Sequence, residues 1–178
     1  MNERLEPANS MPEALDFDYV HPRYKTQLRI ELSLKWLIYI VVLIVVSRIA
    51  SPPWHVLSAV GAAVLAVTLI VLLFTWAPRR YQLTGYVLNP TEVHYRTGAL
   101  WRKQVSVPVN RIQHVEISQG VIERGLKLAK LVIYTAGGSG SDLAVPGLPL
   151  TTAEALRSQL LRQVNDLAEQ ESDAVVAG

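Results

Sequence analysis

Four histidines are the side chains of this 178-residue sequence best suited to acid–base chemistry or metal binding. They stand far apart along the chain, at His21, His55, His94 and His114. A metal site needs several ligands at helical or hairpin spacing, and none of the four has a partner at such a spacing. The sequence contains no cysteine, which excludes disulfides, thiolate nucleophiles and cysteine-based zinc sites. We therefore expect neither a metal nor a cofactor.

One pair of side chains could act together, because His114 and Glu116 are two positions apart on a predicted strand and share a face. The simpler interpretation is a polar pair on a solvent-facing strand. The segment AGGSG, residues 136–140, looks like a phosphate-binding loop. It lacks the Lys-Ser/Thr that completes such a loop, and it is predicted to lie between two strands. We predict no catalytic residue and a protein that is not an enzyme.

Basic side chains are a further chemical feature, since cations near an anionic membrane surface each contribute about 1 kcal/mol to binding. Acidic residues are interspersed among them, so scattered charges on a solvated surface are the alternative interpretation. The net charge of +2 is too small to predict nucleic-acid binding. The basic residues of the C-terminal half are Arg79, Arg80, Arg96, Arg102, Lys103, Arg111, Arg124, Lys127 and Lys130.

Two apolar runs explain the positive mean hydropathy of +0.23. The first, WLIYIVVLIVV, lies between Lys35 and Arg48. The second runs from Trp54 to Trp76 without a charged residue, which exceeds the ~18 residues of a membrane-spanning candidate. Tryptophans at both of its ends suit the two membrane interfaces. The SPPW sequence between the runs cannot continue a helix. A transmembrane hairpin is predicted, with helices at about 33–50 and 54–76.

The cations around the hairpin predict its orientation. The basic residues before the first helix are Arg23, Lys25, Arg29 and Lys35, and those after the second are Arg79 and Arg80. Only Arg48 lies beside the connecting loop, so the positive-inside rule places both termini in the cytoplasm. The second helix carries small residues that permit close packing against either the first helix or another chain. These residues are Gly61, Ala62, Ala63 and Ala66.

The flanking sequences predict three further parts. Residues 1–30 form a polar N-terminal segment, which is expected to be mostly disordered or loosely docked over residues 1–22. Residues 79–168 alternate apolar and polar side chains in short runs, which predicts an antiparallel β module with a glycine-rich tip at 137–142 and a helical turn ending near Gly125. Residues 169–178 are predicted to be a flexible tail. The predicted strands are Tyr81–Leu88, Glu92–Gly98, Ala99–Val109, Arg111–Gln119, Leu131–Ala136 and Asp142–Pro146.

A helix is predicted to close the module. Thr151 and Glu154 have the spacing of a capping box, which would start the helix there. The apolar residues that follow recur at helical spacing and form one stripe, as expected for a helix that covers an open end of a barrel or bent sheet. That stripe consists of Leu156, Leu160, Val164 and Leu167.

A string of short motifs carries a family likeness. The motifs are Arg79-Arg80-Tyr81-x-Leu83-Thr84, Gly98-x-Leu100-Trp101-Arg102, Val107-Pro108-x-x-Arg111-Ile112-Gln113-His114-Val115, Gln119-Gly120, Gly125-Leu126-x-Leu128-Ala129, Tyr134–Gly138 and Pro146-Gly147-Leu148. In this order they resemble the YdbS-like bacterial membrane proteins, which carry a type-2 bacterial pleckstrin-homology (PH) domain. One departure is GYVLNP at residues 85–90, which is longer than the short acidic turn usual in that family.

The resemblance implies an α+β fold, in which a two-helix transmembrane hairpin is followed by a PH-like, seven-stranded antiparallel β-barrel capped by a C-terminal helix. It also implies a location in the bacterial inner membrane and a scaffold that assembles there with a larger membrane protein carrying repeated PH-like domains. A homo-oligomer, a sensor of anionic lipids, and an accessory subunit of a transport system are the alternatives. The interaction candidates are Trp101, Arg102, Arg111, His114 and Glu116, and the lipid-surface candidates are Arg79, Arg80 and Lys103. Trp101 is also a candidate core residue.

Overall fold

The computed structural model describes residues 16–49, 54–136 and 143–176. The helices are α1 (Arg23–Ile49), α2 (Trp54–Gln82), α3 (Val121–Gly125) and α4 (Leu150–Val176). The strands are β1 (Asp18–Tyr19), β2 (Gly85–Leu88), β3 (Glu92–Thr97), β4 (Lys103–Pro108), β5 (Ile112–Ser118), β6 (Leu128–Thr135) and β7 (Leu143–Pro149). The predicted glycine-rich tip and residues 1–15 lie outside the described residues.

Helices α1 and α2 confirm the predicted apolar hairpin. Both are long and apolar enough to cross a membrane, and their most apolar stretches are not buried in the structure. Each helix also extends beyond the predicted span on the side of the β module. Helix α1 begins at Arg23 because Tyr24, Gln27 and Leu28 form a buried face there. Helix α2 continues through Pro78 to Gln82, so the strand predicted from Tyr81 begins only at Gly85.

Most of the small residues of α2 face α1. A Cβ added to Gly61 would lie 3.5 Å from Leu43 Cδ2, which shows how closely the helices approach. Ser58 Oγ and Ser47 Oγ are 2.7 Å apart across the same contact. Ala62 and Ala66 are half-buried like Gly61, whereas Ala63 is exposed. For most of these small residues, the neighbouring helix is therefore α1.

The strands form two antiparallel sheets, in the orders β1-β2-β3-β4 and β5-β6-β7. This arrangement agrees with the predicted PH-like fold of antiparallel strands, and among the described residues the strands form two sheets that do not close into one barrel. Pro108 ends β4, because a proline has no N–H to continue the ladder, and a 3-10 turn at Val109–Arg111 carries the chain to the second sheet. The first sheet takes its outer strand, β1, from the N-terminal side of the hairpin.

Helix α4 packs on the main core. Leu160 is fully buried, and the other residues of the predicted stripe pack against the same cluster. The helix begins at Leu150, so Thr151 lies inside its first turn and the predicted capping box is wrong. It continues to Val176 instead of ending in a flexible tail, since neither glycine nor proline interrupts the sequence between Leu150 and that residue.

A second core cluster joins the hairpin to the module. Val20, Tyr24, Leu28, Ala77 and Leu128 are buried together in it. Backbone hydrogen bonds also hold the chain just before α1. Strand β1 pairs with β2, and the N–H of His21 donates to the carbonyl of Gly147 in β7 at 2.9 Å. Residues on the N-terminal side of the hairpin are therefore part of the module. The predicted division at residue 79 leaves them out.

Candidate functional site

The tip of the β3–β4 hairpin, residues Leu100 to Lys103, presents two adjacent and highly exposed apolar side chains and is called the hairpin tip below. Trp101 is 88% exposed and Leu100 is 78% exposed. Gly98 shapes the turn with a φ of +147°, and a Cβ there would clash with the carbonyl oxygen of Trp101. The interpretation of Trp101 as a core residue is therefore wrong.

Exposure of this tryptophan leaves a large apolar surface in water at a cost in free energy. Single exposed apolar residues are ordinary, but adjacent ones on a projecting turn are typical of a contact surface. Arg102 and Lys103 follow directly and are exposed as well. The hairpin tip thus combines an apolar contact with positive charge, which suits a partner that offers an apolar groove with acidic groups nearby.

Two of the predicted interaction residues lie on the outer face of the second sheet, together with a tyrosine that sequence reasoning missed. This polar strand face consists of His114, Glu116 and Tyr134. The Tyr134 hydroxyl donates to Glu116 Oε2 at 3.1 Å, and the rings of Tyr134 and His114 are 5.8 Å apart between centroids. The bond to the carboxylate raises the pKa of Tyr134, because it favours the neutral phenol.

The hairpin tip and the polar strand face are separate surfaces. Arg111 is exposed and directly precedes β5. Trp101 lies near the first residue of β4, whereas Arg111 lies near its last residue. A strand of this length spans about 20 Å, so the structure does not bring Trp101 and Arg102 together with Arg111. The predicted interaction candidates thus form one group at the tip and another along β5.

Some of the predicted basic surface is committed to internal contacts. The Arg80 guanidinium stacks over Trp76 at 5.1 Å from the ring centroid, at the junction with the hairpin. The Arg96 guanidinium lies 4.0 Å over Phe17 and 5.8 Å from the ring of Tyr19. Of the lipid-surface candidates, Arg79 and Lys103 are exposed and Arg80 is half-buried.

Two of the other histidines, His94 and His21, make hydrogen bonds within the fold. His94 is buried, and its Nδ1 lies 2.6 Å from Ser106 Oγ. His21 Nδ1 accepts the backbone N–H of Arg23 at 3.1 Å. Within residues 16–49, 54–136 and 143–176, no three histidine or acidic side chains lie close enough to hold a metal ion.

Comparison with known proteins agrees with this architecture. The family model of the bacterial PH domain matches residues 32–164. The chain is 32% identical over 111 residues to the UPF0699 transmembrane protein YdbS of Bacillus subtilis (strain 168). That alignment covers 62% of this chain and 67% of the relative. No solved structure matches the chain.

Proposed function

This chain belongs to the bacterial PH domain family and is a YdbS-like membrane protein, and on that premise we propose that it is a membrane-anchored scaffold whose PH-like module docks a partner membrane protein. The observation that carries the proposal is the hairpin tip, where Trp101 is 88% exposed. The two apolar helices already anchor the protein, so the tip is not needed for anchoring. The proposed partner is a larger membrane protein with repeated PH-like domains, and a second copy of this chain is the alternative.

Docking through the tip follows ordinary interface energetics. Tryptophan is the residue type most enriched among interface residues that dominate binding, because it buries a large rigid surface in a pocket. Cations at the rim mainly accelerate the encounter with an acidic partner. The second core cluster holds the module against the hairpin, so the tip keeps one orientation relative to the membrane, and confinement to the same bilayer raises the effective concentration of the partner.

We place the module and both termini on the cytoplasmic face of the inner membrane. Basic residues cluster at the end of the transmembrane hairpin that lies next to the module, and this clustering supports the orientation. Alkaline phosphatase, which is active only outside the cytoplasm, is expected to be inactive when fused after Gly178 and active when inserted between Ser51 and Trp54. The reverse pattern would contradict the proposed orientation.

A role without catalysis fits the side chains of the module. His94 is engaged with Ser106, and Glu116 accepts from Tyr134, so these polar groups have hydrogen-bond partners within the module. The proposed activity is therefore assembly.

The test places a photo-crosslinking amino acid at Leu100 in the full chain, in its native membranes. We expect a crosslinked membrane protein that mass spectrometry identifies as carrying several PH-like domains. Trp101→Ala in the same chain is expected to weaken the complex about 30-fold, because loss of a central tryptophan costs about 2 kcal/mol or more. A crosslinker at Gln159, exposed on α4, is the control position and is expected to give none of this product.

Other products of the same experiment decide between the alternatives. Crosslinks between copies of this chain alone would indicate a homo-oligomer. Crosslinks to phospholipid alone would favour the lipid-sensing alternative, for which Trp101 followed by Arg102 and Lys103 is the specific observation, since tryptophan and cations both suit a membrane interface. A crosslink to a transport protein would instead indicate an accessory subunit. Capture that is unchanged by Trp101→Ala would contradict docking through the tip.

A further inference from the structure

A cavity of about 450 Å³ lies where the start of α1, the turn between α3 and β6, and the start of α4 meet. His21 and Arg23 line it from the N-terminal side, and Arg124 and Lys127 line it from the turn. Thr151 of α4 is part of the remaining wall. The volume lies within the range of about 300–1,000 Å³ that is usual for small-ligand sites. The cavity shares no residue with the hairpin tip or the polar strand face.

The wall of this cavity carries one sign of charge. Arg23, Arg124 and Lys127 are cations at neutral pH, and among the residues that the structure describes neither aspartate nor glutamate lines the cavity. In the part of the chain that the structure describes, none of the three forms an ion pair with a carboxylate. Like charges around one concavity repel each other, and an anion between them would remove that cost.

Glu123 directly precedes the cavity-lining Arg124 in sequence, and its carboxylate bonds to groups outside the cavity. Glu123 Oε2 accepts the backbone N–H of Gly120 at 2.6 Å. Its other oxygen accepts from Gln27 Nε2 at 3.1 Å, on the side of the hairpin. Lys130 approaches the same oxygen at 4.0 Å. The carboxylate is thus fixed by contacts outside the cavity and does not neutralise its cations.

Several donors are held in place before any ligand binds. Arg23 Nη1 donates to the carbonyl of Leu126 at 3.4 Å, which ties the guanidinium to the turn. Since His21 Nδ1 accepts a backbone N–H, the neutral ring carries its proton on Nε2 and is a donor there. The first turn of α4 adds the positive end of a 27-residue helix to the same wall.

We propose that this cavity binds a phosphate group. Phosphate offers several acceptor oxygens and about two negative charges, which arginine and lysine side chains match best. Arg23 begins the helix that enters the membrane, so the phosphate can belong to a membrane lipid or to a soluble phosphorylated molecule. The site does not depend on the proposed docking function, because the two use different residues.

The test uses the full chain in nanodiscs and follows the thermal unfolding of its module. In one arm, inorganic phosphate is added to nanodiscs of phosphatidylcholine, with chloride at equal ionic strength as the reference. In the other arm, phosphatidic acid replaces part of the lipid. Binding to the folded state raises the unfolding temperature, so at least one arm is expected to show a rise. A rise with phosphate alone indicates a soluble ligand, and a rise with phosphatidic acid alone indicates a lipid.

Matched double variants separate this cavity from a general effect of charge. Arg124→Ala with Lys127→Ala is expected to weaken binding about tenfold or more, because each lost hydrogen bond to a charged group is costly. Both side chains are exposed, so the unliganded unfolding temperature is expected to change little. Arg124→Lys with Lys127→Arg is expected to retain binding. The control, Arg157→Ala with Arg162→Ala, removes as much charge from the exposed side of α4. Absence of a rise in both arms, or equal weakening by the control, would overturn the proposal.

Discussion

Tyr24→Ala is expected to lower the free energy of unfolding of the PH-like module by about 3–5 kcal/mol, the usual cost of removing a buried aromatic ring. Tyr24 is only 3% exposed and packs between the hairpin and β7. Its ring lies against Gly147, where a Cβ would be 2.6 Å from Tyr24 Cγ and where φ is +73°. The small residue at 147 thus leaves the space that the ring fills. Denaturant unfolding in nanodiscs, monitored by hydrogen exchange of the module's strands, measures the loss.

Two variants control for other effects of this substitution. Tyr24→Phe keeps the ring and is expected to retain most of the stability. Tyr19→Ala removes a tyrosine that is 61% exposed and is expected to have a much smaller effect. Unchanged strand protection in Tyr24→Ala would mean that the N-terminal side of the hairpin does not stabilise the module.

The fragment of residues 79–178, cut where sequence patterns divide the chain, is expected not to fold. It lacks Val20, Tyr24 and Leu28, each of which contributes about 1.5–3 kcal/mol when fully buried. Their sum is comparable to the whole stability of a small domain, about 5–15 kcal/mol. The fragment would also expose Leu128 of β6, which is 1% exposed in the full chain. Amide dispersion in a two-dimensional NMR spectrum is the measurement, and poor dispersion is the expected result.

The matched control restores the missing contacts without the membrane spans. Residues 16–30, joined by a short glycine-serine linker to residues 76–178, return β1, the start of α1 and the end of α2 to the module. This chimera is expected to give the dispersed spectrum of a folded domain. A well-dispersed spectrum from residues 79–178 alone would show that the second core cluster is dispensable.

Local patterns determined much of the architecture without any structure. The charge-free run from Trp54 to Trp76, the alternation around Val115 and the apolar stripe containing Leu160 each predicted an element that the structure contains. Such patterns are readable because the period of a helix or strand is set by neighbours a few residues apart. The absence of cysteine limited the chemistry in the same direct way.

The tertiary structure alone decided which of these elements meet. The pairing of β1 with β2, the exposure of Trp101 and the contact of Tyr134 with Glu116 depend on strand register and turn geometry, which no local pattern specifies. The cationic cavity joins the start of α1 to a turn more than 100 residues later, as the bond from Arg23 to Leu126 shows. Side chains this distant in sequence become neighbours only when the whole core packs, so their joint chemistry is a property of the fold.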